Sequence, residues 1–195
     1  MSELILVLIC FIAIFWGCYK TYCDYKWNLK PIHNFPFFYR GKEYWYSRSV
    51  ATSPFVFCKN SEDKWCVLAN KRGIGTPDFQ GYWNVPCGYL EHNINGEENC
   101  SKEVYEECGV RVNPSMFKLI GVETSPSANR QNVTLRYYAL MDGLISDYPF
   151  GSENSEENEV SDIKWIPIDD IDNYQWAFNH NVRIKEINEN VLNNN

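Results

Sequence analysis

Short runs of β-branched and aromatic residues recur along the chain, separated by segments rich in turn-forming residues. Residues 54–58 and 65–69 are two such runs, and the polar segment 59–64 between them predicts a β-hairpin. The glycine- and proline-containing segment 70–81 predicts a loop. The remaining predicted elements are strands at 83–86, 117–123, 133–141 and 163–166, and helices at 97–108 and 174–187. Strands mixed with two separated helices favour an α/β sandwich.

Composition excludes several classes of protein. With 195 residues, 45% hydrophobic and 22% charged, the chain is neither disordered nor collagen-like nor a coiled coil. Its net charge of −7 and its lack of a Lys/Arg cluster argue against a nucleic-acid partner. The eight cysteines include no pair separated by two residues, so paired zinc-knuckle spacing is absent and reduced, mostly buried thiols are expected.

The N-terminus carries a continuous apolar run, residues 4–16, which residues 17–19 extend to 16 positions before Lys20. A helix of that length is about 24 Å long, and snorkelling by Lys20 helps it to span a hydrocarbon core of about 30 Å. We therefore predict an N-terminal transmembrane helix that anchors the protein in a membrane through residues 4–19. A cleaved signal peptide and a lipoprotein processing site are the alternatives. Basic residues follow the run and none precede it, which places the globular part in the cytoplasm.

The chain divides by composition into four segments. Residues 1–19 are the predicted anchor, and residues 20–47 form an aromatic linker that we expect to pack on the domain. The globular domain covers residues 48–190. The Asn-rich residues 191–195 are expected to form a frayed tail.

The predicted helix 97–108 carries three carboxylates, Glu103, Glu106 and Glu107, at positions i, i+3 and i+4. This spacing brings them to one face of the helix, within about 5–6 Å of one another. A divalent cation with hard oxygen ligands, Mg²⁺ or alternatively Mn²⁺, would turn their repulsion into coordination. An acidic face of this kind is also common on solvated surface helices. The triplet alone therefore leaves both interpretations open.

The wider spacing resembles the Nudix box, Gly-x5-Glu-x7-Arg-Glu-U-x-Glu-Glu-x-Gly-U, in which U is aliphatic. Matching positions are Gly88, Glu103, Val104, Glu106, Glu107, Gly109 and Val110. Two positions depart from it, since Ile94 stands where the family has Glu and Lys102 where it has Arg. The lead-in 77–90, the acidic segment from Glu159 and the stretch 176–180 also resemble Nudix hydrolases. The resemblance covers about residues 45–190.

This resemblance implies a Nudix-type α/β/α sandwich with a mixed β-sheet. It also implies Mg²⁺-dependent hydrolysis of a nucleoside diphosphate derivative, a small-molecule diphosphate substrate, by water attack on phosphorus. Glu103, Glu106 and Glu107 would be the catalytic residues and metal ligands, with Gly88 against the metal. One of the last two glutamates could be the base, and Glu157 or Glu159 in the acidic loop is the other option.

Three further side chains are candidates for substrate binding. Arg72 could pair with a phosphate, and Trp83 and Tyr89 could stack on a base. The alternatives are a surface arginine and aromatic core packing.

The two departures from the box leave a second class of function open. Lys102 keeps the positive charge but not the planar fork of arginine, and Ile94 removes a carboxylate. The alternative to an enzyme is therefore a Nudix module with an impaired site that binds a nucleotide-like ligand as a sensor or scaffold at the membrane. The substrate could also be a non-nucleotide diphosphate, and the chain could act as a homodimer.

Overall fold

The computed structural model describes residues 35–125, 132–151 and 155–194. The chain divides into two compact units, Met1–Ser47 and Arg48–Asn195. In the first, strands β1 (Phe35–Tyr39) and β2 (Lys42–Tyr46) pair antiparallel as a hairpin. The predicted anchor, residues 1–19, lies outside the described residues and stays a prediction. Within the described ranges, no helix has both the length and the apolar character needed to cross a bilayer.

The second unit is built on a mixed seven-stranded sheet. Its strands and helices are β3 (Val50–Lys59), β4 (Trp65–Arg72), β5 (Trp83–Asn84), β6 (Gly88–Tyr89), α1 (Gly96–Cys108), β7 (Lys118–Glu123), β8 (Val133–Leu144), β9 (Val160–Pro167) and α2 (His180–Asn190). The main strand order is β5-β4-β3-β8-β7, with β6 also paired to β3 and β9 to β4. Only the β3–β8 pairing is parallel among these described strands. The predicted mixed sheet and the hairpin are confirmed.

Strand β3 shows why the fold has three layers. Its side chains alternate between two buried clusters, with Val56 and Cys58 in one and Phe55 and Phe57 in the other. A strand buried on both faces reads as a continuous apolar run. Residues of α1 complete the first cluster, and residues of α2 complete the second. One helix therefore covers each face of the sheet, as predicted for an α/β/α sandwich.

The C-terminal helix begins later than predicted. Residues Ile168–Asn173 form a 3₁₀ helix, and α2 begins at His180 instead of at residue 174. Phe178 and Asn179 have positive φ angles of 60° and 58°, which interrupt a right-handed helix. At the other end, Leu192 is only 3% exposed and packs in the second cluster, so the chain stays packed beyond the point where a frayed tail was predicted.

The five cysteines that the structure describes are reduced and mostly buried, as expected. Cys58, Cys66, Cys100 and Cys108 are buried free thiols, and Cys87 is half-buried and free. Burial raises the pKa of the Cys66 thiol to about 11, which keeps it protonated at neutral pH.

Helix α1 is closed at both ends by local signals. Asn95 and Glu98 form a reciprocal capping box, and Gly109 ends the helix with a φ of 71°. Because a lost N-cap costs about 1 kcal/mol, Asn95→Ala should lower the free energy of unfolding by that amount. Urea unfolding of the full chain measures it, and an unchanged midpoint would show that the cap contributes nothing.

Glu123 ties the end of β7 to its neighbours. Its carboxylate accepts the Ser125 N–H at 2.8 Å and an Arg136 guanidinium N–H at 2.7 Å. These bonds, the Ser125 contact first, lower the pKa of Glu123 from 4.5 to about 2. A lowered folded-state pKa means that this stabilisation is complete above the unfolded-state value and is lost as pH falls towards the folded-state value. We expect the stability difference between wild type and Glu123→Gln to shrink between pH 4.5 and 2. Denaturant titrations across that range test it, and a difference independent of pH would contradict it.

Candidate active site

Helix α1 divides its three box carboxylates between two environments. Glu103 and Glu107, one turn apart, are 9% and 4% exposed and point towards the sheet. Glu106 is more exposed and accepts a hydrogen bond from the Lys102 ammonium. The structure therefore groups Glu103 with Glu107 and turns Glu106 towards Lys102.

Gly88 lies directly against one of these carboxylates. It begins the two-residue strand β6, which pairs with Ala51 and Thr52 of β3. A Cβ atom added at Gly88 would overlap the carboxylate of Glu103. The missing side chain is therefore what allows the Glu103 carboxylate to approach this backbone.

The electrostatics of Glu103 and Glu107 are those of buried, crowded acids. Burial is the main cause that raises the pKa of Glu103 to about 7, and Lys102 opposes the rise. Burial also raises the pKa of Glu107 well above its ordinary value, with Glu103 and Glu159 adding to the effect. The donors to Glu107 are neutral: the Asn70 amide at 2.7 Å and the backbone of Cys87.

The acidic loop brings one of its two candidate bases to this cluster. The negative charge of Glu159 raises the pKa values of both Glu103 and Glu107, and its side chain is half-buried. Glu157 is exposed. Backbone bonds from Gly73 N–H to the Glu159 carbonyl at 2.6 Å and from Gly75 N–H to the Asn158 carbonyl at 2.8 Å hold the loop in place.

Lys102, at the arginine position of the box, bridges two carboxylates. Its ammonium contacts Glu106 and lies 3.2 Å from Glu91. Ile94, at the glutamate position, is half-buried. Glu91 therefore places a carboxylate beside Lys102, although it lies three residues before Ile94, the position at which the box has its glutamate. The sequence spacing alone does not show this contact.

The three candidate substrate residues have different surroundings. Arg72 donates to the Asp78 carboxylate at 2.7 Å and to its carbonyl at 2.9 Å, and its guanidinium stacks over Phe178. Trp83 is 6% exposed and packs edge-on against Tyr174, so it is a core residue with little ring surface left for a ligand. Tyr89 is 61% exposed beside Gly88, where a ring could stack on a ligand.

The chemistry of this site suits a hard cation. The charge of Glu159 opposes the ionisation of both Glu103 and Glu107, and Glu103 adds to the effect on Glu107. Oxygen donors of this type are those that Mg²⁺ and Mn²⁺ prefer. Across the described ranges, no group of three acidic, histidine or cysteine side chains is arranged so that it could hold a metal ion. The carboxylates therefore fit a cation by the chemistry of their oxygen atoms and not by their present arrangement.

A family model described as the NUDIX domain matches residues 50–187, which include the helix, Gly88 and the acidic loop. The chain belongs to the Nudix family. The family resemblance of the sequence is therefore confirmed.

The sequence did not identify Asn70 as a site residue, although it contacts Glu107. The signal that could have identified it is a polar amide directly after the apolar run 67–69.

Individual relatives are distant. The chain is 26% identical over 119 residues to the NAD-capped RNA hydrolase NudC of Mannheimia succiniciproducens, a match that covers 60% of this chain and 40% of that protein. The chain therefore matches well under half of this curated relative's length.

Solved structures show the same fold. The NUDIX domain of Shewanella oneidensis NrtR, complexed with ADP ribose, has a TM-score of 0.60 at 22% identity and covers 74% of this chain and 88% of that one. A bifunctional NMN adenylyltransferase/ADP ribose pyrophosphatase of Francisella tularensis, complexed with AMP and a manganese ion, has a TM-score of 0.60 at 16% identity. That match covers 89% of this chain and 46% of the other.

Proposed function

We propose that this Nudix protein hydrolyses the diphosphate linkage of a nucleoside diphosphate derivative in a reaction that depends on a divalent cation. The observation that carries the proposal is the pair of buried carboxylates, Glu103 and Glu107, held beside Gly88 with Glu159 nearby. A folded protein keeps buried like charges together at a cost in free energy. A bound cation would offset that cost.

The cation would be held by Glu103 and Glu107, with Glu106 and the Gly88 backbone as the further candidates. Once bound, a divalent cation neutralises the diphosphate and lowers the pKa of a coordinated water. Glu159 is the preferred base, because it lies near both buried carboxylates. Its carboxylate would take the proton as the water oxygen bonds to phosphorus, the bridging P–O bond breaks, and the leaving phosphate departs with the bridging oxygen.

The substrate class is proposed from the relatives. One is named as a hydrolase of NAD-capped RNA, another as an ADP ribose pyrophosphatase, and a third is complexed with ADP ribose. These ligands share an adenosine diphosphate joined to a second group. We therefore put ADP-ribose and NAD first, with the adenine ring against the exposed face of Tyr89.

The test is a turnover assay of the full chain with ADP-ribose, NAD, nucleotide sugars, dNTPs and isoprenoid diphosphates, in Mg²⁺ and in Mn²⁺. We expect AMP from the first two substrates. If the protein binds these compounds without hydrolysing any of them, it is instead the binding module that Ile94 and Lys102 left open. In that case, a gain of turnover in an Ile94→Glu/Lys102→Arg variant would show that these two residues are what prevents hydrolysis in the natural sequence.

The Gly88 contact predicts a loss of activity without a loss of fold. Gly88→Ala would push the flexible end of Glu103, so the carboxylate should move while the backbone stays in place. Since a displacement of about 1 Å can lower a rate by about 100-fold, kcat should fall by up to that factor. Gly121→Ala is the matched control, because a Cβ there meets nothing within 4 Å. Equal activity in the two variants would contradict this role for Gly88.

The predicted anchor also belongs to this proposal. If residues 4–19 span a membrane, the active domain works at its cytoplasmic surface. Fractionation of cells that express the full chain tests this, and recovery of the intact chain in the soluble fraction would contradict it.

A further inference from the structure

Two asparagines lie side by side in the sheet beneath α1. Asn70 of β4 and Asn84 of β5 are register partners, and they are 2% and 1% exposed. In the described part of the chain, the side-chain oxygen of each lacks a hydrogen-bond partner. Since an unbonded buried polar atom destabilises a fold, packing alone does not account for amides at these positions.

The amide nitrogens of the two residues have definite partners. Asn70 Nδ2 donates to Glu107 Oε2 at 2.7 Å, a length typical of a charge-assisted bond. Asn84 Nδ2 donates to the Val85 carbonyl at 2.8 Å and lies 3.6 Å from Cys87 Sγ. Asn84 thereby holds the segment whose Cys87 N–H is the second donor to Glu107. Both asparagines therefore support the same carboxylate, one directly and one through the backbone.

We propose that Asn70 is a positioning residue for Glu107: its amide donates to Oε2 and fixes the rotation of the carboxylate, which directs the remaining lone pairs towards a bound cation. The inference rests on the proposed function in one respect, that Glu107 is a cation ligand.

The orientation of the amide explains its unbonded oxygen. When Glu107 is ionised, as a cation ligand is, turning the Asn70 amide over would place Oδ1 against Oε2, where two acceptors would face each other. The bond to Glu107 thus selects the orientation that leaves Oδ1 without a partner. Leucine would fill a similar volume without an unbonded oxygen, but it would leave the buried Glu107 Oε2 without this donor, which is destabilising, and it would let the carboxylate rotate.

The experiment measures Mn²⁺ binding to the full chain by titration calorimetry, with thermal unfolding of the same samples. Asn70→Leu removes the donor. Asn99→Leu is the matched control, because Asn99 is also a fully buried asparagine, but it donates to Thr52 Oγ1 at 2.8 Å and accepts the Glu91 N–H at 3.1 Å. Both variants should melt at lower temperature than wild type.

Only Asn70→Leu should lose Mn²⁺ affinity, by about 10- to 100-fold, the usual effect of removing a partner that orients a metal ligand. If Asn70→Leu does not fold, Asn70→Ser replaces it. The serine hydroxyl is too short to reach Oε2, so the same loss of affinity is expected. Where turnover is measurable, kcat should fall at saturating substrate in the Asn70 variants.

The outcomes separate the inference from the proposed function. Wild-type protein that binds no Mn²⁺ overturns the proposed function, and the inference fails with it. Wild-type binding that Asn70→Leu or Asn70→Ser leaves unchanged overturns the inference alone. An equal loss of affinity in Asn99→Leu would also overturn it, because the effect would then follow from lost stability.

Discussion

Replacing Glu107 with glutamine should lower kcat by about 10²–10³-fold, the range found when one preorganised electrostatic group is removed from an active site. Glutamine keeps the shape of the side chain and an oxygen that can accept the Asn70 amide proton, so the fold should persist. The negative charge that would hold the cation is lost. Steady-state kinetics of the full chain measure the effect.

The control for this prediction is Glu62→Gln, which changes an exposed carboxylate in the turn between β3 and β4. It should leave kcat unchanged. A Glu107→Gln enzyme as active as this control would show that the buried carboxylate takes no part in the reaction.

Glu159→Gln should lower kcat by about 10²–10⁴-fold, because general acid–base groups contribute on that scale. Glu157→Gln, two residues earlier in the same acidic loop, should have little effect, since its side chain is exposed. The pair is a matched comparison: the substitution and the loop are the same, but Glu159 is half-buried and its charge acts on both buried carboxylates, whereas Glu157 is exposed.

The reverse result, a large loss in Glu157→Gln with normal activity in Glu159→Gln, would reassign the base. Normal activity in both variants would move the role to α1, where Glu106 or Glu107 is the remaining option.

The helix of the site was predictable because its signals are local. The box spacing, the carboxylates at i, i+3 and i+4, and a glycine suited to the left-handed position after the helix all lie within residues 88–110. The hairpin of β3 and β4 was predictable for the same reason. Elements whose start and end are set by neighbouring residues can be placed from sequence.

The later start of α2 was not predictable, because residues 174–179 are apolar enough to resemble a helix. In the fold, residues 174–177 run beside Trp83 instead, with backbone bonds from Trp83 N–H to the Gln175 carbonyl and from Ala177 N–H to the Trp83 carbonyl, and a turn at residues 178–179 precedes α2. These bonds and the packing of Tyr174 also bury Trp83, which appeared in the sequence as a candidate ligand-stacking ring. Contacts between distant segments decided both outcomes.

The environment of each carboxylate was likewise set by distant residues. Spacing places Glu103, Glu106 and Glu107 on one helix face. It does not show that Lys102 forms ion pairs with both Glu106 and Glu91. It also does not show that Asn70, 37 residues away, bonds to Glu107. The residues that carry the charge were predictable, whereas the residues that orient them were not.

The central claim is that a cation held by the buried carboxylates of α1 is required for hydrolysis. Its most direct test measures Mn²⁺ binding and ADP-ribose hydrolysis on the same sample of the full chain as Mn²⁺ is titrated after chelation. We predict no hydrolysis without added cation, and a rate that reaches half its maximum at the dissociation constant measured for Mn²⁺. Hydrolysis that continues in excess chelator, or Mn²⁺ binding that does not change the rate, would contradict the account.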